Sequence, residues 1–167
     1  MSSRPSKPPL LGALMRIPLE AVHQRIIAEA HAAGFDDLVQ AHLSVLRYPG
    51  PDDRRPSELA TEAGMSKQAM NYLLGQLEDL GYLVREDDPL DRRSKRVALT
   101  SRGHDLRTTI RASVDAIEAE VEAELGPKQF AQLRRLLVAL NTTAFVRGTS
   151  ADVPRPAAPP AEELAEA

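Results

Sequence analysis

Four of the five residues from Arg92 to Arg96 are basic, and they follow Asp91 within the run DPLDRRSKRVALTSRG at positions 88–103. Cations packed this densely on a short loop can neutralise nucleic-acid phosphates. Asp91 and Arg93 stand two residues apart, so on an extended tip they share a side, where the carboxylate is expected to hold the Arg93 guanidinium in one orientation. An arginine fixed in this way suits a narrow minor groove, and Arg92, Lys95 and Arg96 suit the flanking phosphates. Arg55 is a further phosphate candidate from upstream. The competing reading is a solvated loop whose acids, Glu86, Asp87, Asp88 and Asp91, cancel its bases.

A second group, Ser66, Lys67, Gln68, Asn71 and Tyr72, opens an apolar-periodic segment that runs to about Leu80. Gln68 and Asn71 can each make paired hydrogen bonds to adenine, and Lys67 can reach guanine or phosphate. Ser66, with the amides of a helix start, can hold a phosphate. The plain alternative is an exposed helix face that water solvates.

These side chains need elements to position them. Pro56 to Leu80 reads as two short helices joined by a turn at Gly64, with Ser57 expected to cap the first and Ser66 the second. Leu59, Ala63, Met65, Met70 and Leu73 fall where crossing helices bury side chains, and Ala60 permits close approach. Gly81 ends the second helix. Strands are expected over 82–86 and 95–99, with Val97 and Leu99 on one side and a turn over 87–94. A helix-turn-helix followed by a basic hairpin describes a winged helix, with a two- or three-stranded β wing.

Long amphipathic helices flank that unit. Leu10, Leu14, Ile17, Val22, Ile26 and Ala30 recur at helical spacing, with Pro18 as a kink or early-turn residue and Gly34 as the stop. Asp36 or Asp37 is expected to cap a second helix carrying Leu38, His42, Val45 and Leu46. Thr100 or Ser101 can cap a long helix bearing Leu106, Ile110, Val114, Ile117, Val121 and Leu125. Gly126-Pro127 breaks it, and a last helix to Phe145 lines up Phe130, Leu133, Leu137, Leu140 and Ala144. The resulting organisation is a tail at 1–9, a dimerisation helix at 10–35, the winged helix-turn-helix at 36–104, dimerisation helices at 105–148 and a tail at 149–167. Both tails are rich in proline and poor in large apolar residues, a composition that predicts disorder.

Composition narrows the function classes. With 167 residues, 43% of them hydrophobic and 4% aromatic, the chain can build a mainly α core of Leu, Val, Ile and Ala. It has no cysteine, which removes disulfides, thiol sensing, thiolate zinc sites and cysteine nucleophiles. No apolar run approaches the roughly 20 residues that span a bilayer, and the N-terminus lacks a secretory core, so a cytoplasmic location is expected. The formal net charge is -3, but charge is segregated: positions 115–124 hold five acids and no base, opposite in sign to the 92–96 run. Phosphate-binding Gly-rich loops, HExxH and Gly-x-Ser-x-Gly are all absent, so no enzyme activity and no cofactor are expected.

The wing residues Asp91, Arg93, Val97, Leu99, Thr100 and Gly103, together with SELATEAGMSKQAMNYLLGQLEDLGYL, resemble the MarR family of transcriptional regulators. The resemblance extends more loosely over 10–147 in helix order and length. It implies a homodimer whose first and last helices interlock, presenting two recognition helices to a near-palindromic double-stranded DNA operator, usually as a ligand-responsive repressor. Oxidation-sensing members need a reactive cysteine, absent here. Zinc-sensing members use His and carboxylate clusters, whereas His23, His31, His42 and His104 show no close ligand pairing, so no metal is expected. In the family, anionic aromatic effectors bind between the dimer helices and the winged helix, which makes His42, Arg47 and Tyr48 candidates for a small-molecule effector pocket; helix packing explains them equally well. The alternative function is a winged-helix protein-interaction module without DNA binding.

Overall fold

The computed structural model describes residues 10–46, 50–89, 91–143 and 146, with the backbone alone at Arg92. Six α-helices and one antiparallel strand pair follow in the order α1 (Leu11–Ala32), a 3-10 turn (Gln40–His42), α2 (Leu43–Leu46), α3 (Pro56–Ala63), α4 (Lys67–Asp79), β1 (Leu83–Asp88), β2 (Asp91–Leu99), α5 (Ser101–Leu125) and α6 (Pro127–Asn141). The mainly α, winged-helix expectation therefore holds. Both tails, Arg47, Tyr48 and the end of the last expected helix at Phe145 lie outside the described residues.

Two caps differ from the sequence reading. Ser57 does not cap α3: the backbone kinks one residue earlier, at Arg55, whose N–H donates to Glu58 Oε2 at 3.1 Å, and Pro56 takes the first helical position where no amide is needed. Neither Asp36 nor Asp37 caps the second helix, which begins as a 3-10 turn after Val39. The Asp37 carboxylate is committed elsewhere, to Tyr82 and Arg102. Ser66 does cap α4, its Oγ accepting from Ala69 N–H at 3.1 Å, and Gly64 makes the preceding turn at φ 63°.

The core is where the amphipathic stripes converge. Leu59 and Ala60 of α3, and Met70, Leu73, Leu74 and Leu77 of α4, pack with Tyr82, Leu83, Val97 and Leu99 of the wing base and Leu106 of α5. Ile26 and Ala30 from the second half of α1 and Leu38, Val45 and Leu46 close it. The first half of α1 behaves differently. Leu10, Leu11, Leu14, Met15, Ile17 and Leu19 are exposed, as are Leu133, Leu136, Leu137 and Val138 of α6. Two apolar helix faces thus remain uncovered in the single chain.

The wing is longer than expected and its turn is tighter. Pairing runs from Leu83 with Leu99 to Asp87 with Lys95, then skips to Asp88 with Asp91, so residues 92–94 form a bulge on β2 instead of part of a wide 87–94 turn. The cause is local: Asp91 Oδ1 accepts from the Arg93 N–H at 3.0 Å and Oδ2 from the Ser94 hydroxyl at 2.8 Å. The far edge of β2 is joined by residues 53–54, which exchange backbone hydrogen bonds with Val97 at 2.8 and 2.9 Å as a one-residue third strand.

The wing base is locked to α5 at Thr100 and Gly103. Thr100 Oγ1 donates to the Gly81 carbonyl at 2.6 Å and accepts from Gly103 N–H at 3.1 Å. A Cβ on Gly103 would stand 2.0 Å from the Tyr82 carbonyl oxygen, so helix and backbone meet where only glycine fits. Gly103→Ala is therefore expected to cost about 3 kcal/mol, the upper range for forced overpacking, read as a lower urea midpoint with an unchanged m-value.

Candidate nucleic-acid interface

All five recognition candidates stand on one exposed end of α4. Ser66, Lys67, Gln68, Asn71 and Tyr72 are solvent-accessible, while Met70, Leu73, Leu74 and Leu77 on the opposite side bury the helix. Tyr72 is held by its phenolic oxygen, which accepts from Gln76 Nε2 at 3.2 Å. Among the described residues no ion pair engages Lys67. The α4 start therefore offers one cation and four exposed amide or hydroxyl side chains.

The wing candidates separate into free and committed groups. The carboxylate of Asp91 shapes the backbone of the bulge and does not grip the Arg93 guanidinium, so the expected orientation of Arg93 by Asp91 is corrected: the tip is preorganised through its main chain. The hydrogen bonds from Ser94 and from the Arg93 amide hold the Asp91 carboxyl below its ordinary value. Arg93 is exposed, with no ion-pair partner among the described residues. Of Arg92 only the backbone is described. Lys95 is exposed and pairs across the strands with Asp87 at 2.6 Å, an ion pair that solvent screens.

Arg55 and Arg96 have a different environment. Both reach the carboxylate of Asp88, which is 0% exposed: Arg55 Nη2 lies 2.7 Å and Arg96 Nε 3.0 Å from Oδ2. Arg96 also donates to the carbonyl and the carboxylate of Asp53, each at 2.8 Å. These contacts raise the Arg96 pKa, the Asp53 hydrogen bond most strongly. Arg96 is thus a brace between β2 and the 53–54 edge, while Arg55 ties the start of α3 to the end of β1.

Between α3, α4 and the wing lies a cleft of about 280 Å³ lined by Arg55, Pro56, Ser57, Lys67, Asn71, Arg85, Ser94 and Lys95. Four of these are cations and none is a carboxylate. Sequence reading overlooked Arg85, which lies in a strand like many half-exposed arginines and carries no local signal.

The effector candidate His42 is buried at 3% exposure on the 3-10 turn. Its Nδ1 accepts from Val39 N–H at 3.3 Å. Burial lowers its pKa from the ordinary 6.5, partly offset by Gln76 and by the charge of Asp37. Beside it, Asp37 accepts from the Tyr82 hydroxyl and from Arg102 Nη2, whose guanidinium carbon stands 4.6 Å over the Tyr82 ring. The 37 loop, the wing base and the first turn of α5 meet in that cluster. The histidines stay apart, and no three His, Asp or Glu side chains gather as metal ligands among the described residues.

Two outcomes follow from these environments. Asp88→Asn removes the buried charge that two partly exposed guanidiniums share, and losing these charged hydrogen bonds is expected to cost about 1.5–3 kcal/mol in chemical denaturation. A buried His with a lowered pKa binds its proton more readily in the unfolded chain, so it contributes stability above the unfolded value near 6.5 that is lost as pH falls below it. Thermal midpoints measured from pH 8 to 5 should fall in the native protein and fall less in His42→Gln.

The sequence model of the MarR family matches residues 41–94, the second helix through the wing bulge. The HTH-type transcriptional repressor Rv2887 of Mycobacterium tuberculosis (strain ATCC 25618 / H37Rv) is 37% identical over 86 residues, 52% of this chain and 62% of its own length. The match thus spans less than two thirds of the curated relatives. In three dimensions the fold resembles the M. tuberculosis MarR family protein Rv2887 in complex with salicylic acid, with a TM-score of 0.60 at 29% identity over 81% of this chain and 99% of that one. It also resembles CouR from Rhodococcus jostii RHA1 bound to p-coumaroyl-CoA, with a TM-score of 0.61 at 26% identity over 81% of this chain and 94% of the other. The chain thus shares the MarR family's sequence pattern over residues 41–94, and over 81% of its length it shares the fold of a MarR family protein.

Proposed function

We propose that the chain is a DNA-binding transcriptional regulator, a ligand-responsive repressor that occupies a near-palindromic operator as a homodimer and catalyses no reaction. One observation carries this reading: the polar start of α4 and the basic bulge of the wing border a single cleft with four cations and no carboxylate. Gln68 and Asn71 read base edges in the major groove, Arg93 enters the adjoining minor groove, and Lys67, Lys95 and Arg92 meet phosphates. Arg55 and Arg96 act chiefly by holding the wing. The relatives' description as transcriptional repressors supports the same role.

Dimerisation is supported by the two uncovered apolar faces on α1 and α6, which together would leave an unusual amount of Leu, Ile and Val in water. A dimer would set two α4 helices on successive major grooves, about 34 Å apart. The small-molecule input is an anionic aromatic compound, in keeping with the salicylic acid carried by Rv2887. His42, Arg47 and Tyr48 are the residues proposed to take it, and a ligand bound between the dimer helices and the winged helix shifts the spacing of the reading heads by binding one arrangement more tightly than the other. Such a regulator works in the cytoplasm; no helix among the described residues is long and apolar enough to cross a membrane.

Fluorescence anisotropy with the intergenic DNA beside its own gene tests the reading. Arg93→Ala should weaken binding by about 1–3 kcal/mol and relax sequence preference, whereas Lys95→Met should weaken all duplexes alike. A protein that elutes as a monomer at micromolar concentration, or that shifts no duplex at 50 mM salt, would overturn it and favour a protein-interaction module.

A further inference from the structure

We infer that the cleft between α3, α4 and the wing seats one phosphodiester of the DNA backbone, and that Arg85 is its principal anchor. The inference rests on the DNA-binding reading above and assigns a contact residue beyond it. Arg85 is the cation at which the cleft, α4 and β1 come together. Its Nε stands 3.1 Å from Glu78 Oε2, an ion pair without hydrogen-bond alignment, and its Nη2 donates to the Asn71 carbonyl at 3.2 Å. The same Glu78 accepts from the Arg85 backbone N–H at 3.2 Å, so main chain and side chain are fixed by one carboxylate. The guanidinium is therefore held in place before any ligand arrives, with Nη1 and the second N–H of Nη2 left by the Asn71 contact.

The surroundings select an anion with hydrogen-bond acceptors. Arg55 is held from outside the cleft by Asp88, and Lys95 by Asp87, so both cations are positioned by carboxylates that are not part of the lining. Lys67 adds a charge, and the Ser57 and Ser94 side chains and the Asn71 amide add neutral polar groups. A tetrahedral phosphate offers acceptor oxygens in several directions to such a ring, and a planar guanidinium matches two of them at once. The cleft also lies between the α4 start, which reads the major groove, and the wing tip, which reads the minor groove. The strand of DNA that separates two grooves is a phosphate backbone, so the group that must cross this place on a bound duplex is the one the lining fits.

Counterion release gives the test. With a mixed-sequence 30-base-pair duplex, log Kd against log[KCl] should have a slope about 2 smaller in magnitude for Arg85→Met than for the native protein, because each of the two subunits loses one phosphate contact of about 0.9. Arg85→Lys, which keeps the charge, should recover most of that slope. Thermal unfolding checks that the variants fold. A measurement on the native protein needs no variant: phenylglyoxal modification of Arg85, read by mass spectrometry, should fall several-fold when the duplex is present at 50 mM KCl and return at 1 M KCl. An unchanged slope in folded Arg85→Met, or equal modification with and without duplex, overturns the assignment. So does saturable stabilisation by free AMP that Arg85→Met abolishes while the DNA slope stays the same, since the site would then serve a free phosphate ester. Should the native protein itself bind no duplex, the DNA-binding reading fails first, and the assignment with it.

Discussion

One buried carboxylate fixes where the wing sits. Asp88 is fully enclosed, and removing an isolated ionised carboxyl from water costs several kcal/mol unless cations and donors replace the solvent. Arg55 and Arg96 supply them from two different elements, the start of α3 and the middle of β2. The net stabilisation of such a cluster is small, since desolvation offsets most of the attraction; its consequence is geometric. A hairpin attached only through its own ladder could pivot at its base, whereas one pinned by a charge that tolerates no unpaired alternative has a single orientation against the helix-turn-helix. Arg85 makes a second tie, between β1 and α4, through Glu78 and the Asn71 carbonyl.

The same ties explain how a chain with a net charge of -3 can present a positive face. Arg54, Arg55, Arg85 and Arg96 each have carboxylate partners, so they act first as braces. Lys67, in the cleft lining, and Arg93, on the wing bulge, have no such partners among the described residues. Local field, and not the sum over the chain, decides what an approaching polyanion meets. A face built largely from paired cations has modest attraction at long range, where opposite charges cancel, and stronger attraction at contact, where positioned guanidinium donors make short hydrogen bonds. That balance favours discrimination over indiscriminate binding to any duplex.

Helix order, the turn at Gly64, the caps at Ser66 and Thr100 and the buried pair Val97 and Leu99 were legible from periodicity and cap chemistry, because each depends on neighbours within a few residues. The wing pattern Asp91, Arg93, Thr100, Gly103 was legible as a pattern but not for its reasons. Asp91 folds the backbone of the bulge instead of holding Arg93, and Gly103 is demanded by a carbonyl 21 positions earlier in the chain, at Tyr82. Asp88 and Arg85 were invisible as special residues. An acid among four acids and an arginine in a strand carry no local mark, and their importance arises from partners on α3 and α4 that only the tertiary fold brings close. Asp37 misled for the complementary reason. Its position suits a cap, but Tyr82 and Arg102, 45 and 65 residues away, compete for its carboxylate and win.

That competition has a mechanical result. The Asp37, Tyr82 and Arg102 cluster joins the loop after α1 to the wing base and to α5, and Thr100 with Gly103 fastens the wing base to the same first turn of α5. The bulk of α5 packs on α1, where Arg25 bridges to Glu120 at 2.9 Å and Ser113 is buried. A close-packed junction of this kind transmits displacement instead of absorbing it, because Gly103 stands directly against the Tyr82 carbonyl and Tyr82 is fully buried. Contacts thus run from the α1–α5 packing to the wing base and, through Asp88 and Arg85, to α3 and α4. In the proposed dimer, a small shift of the helices outside this unit would change the spacing between its two copies.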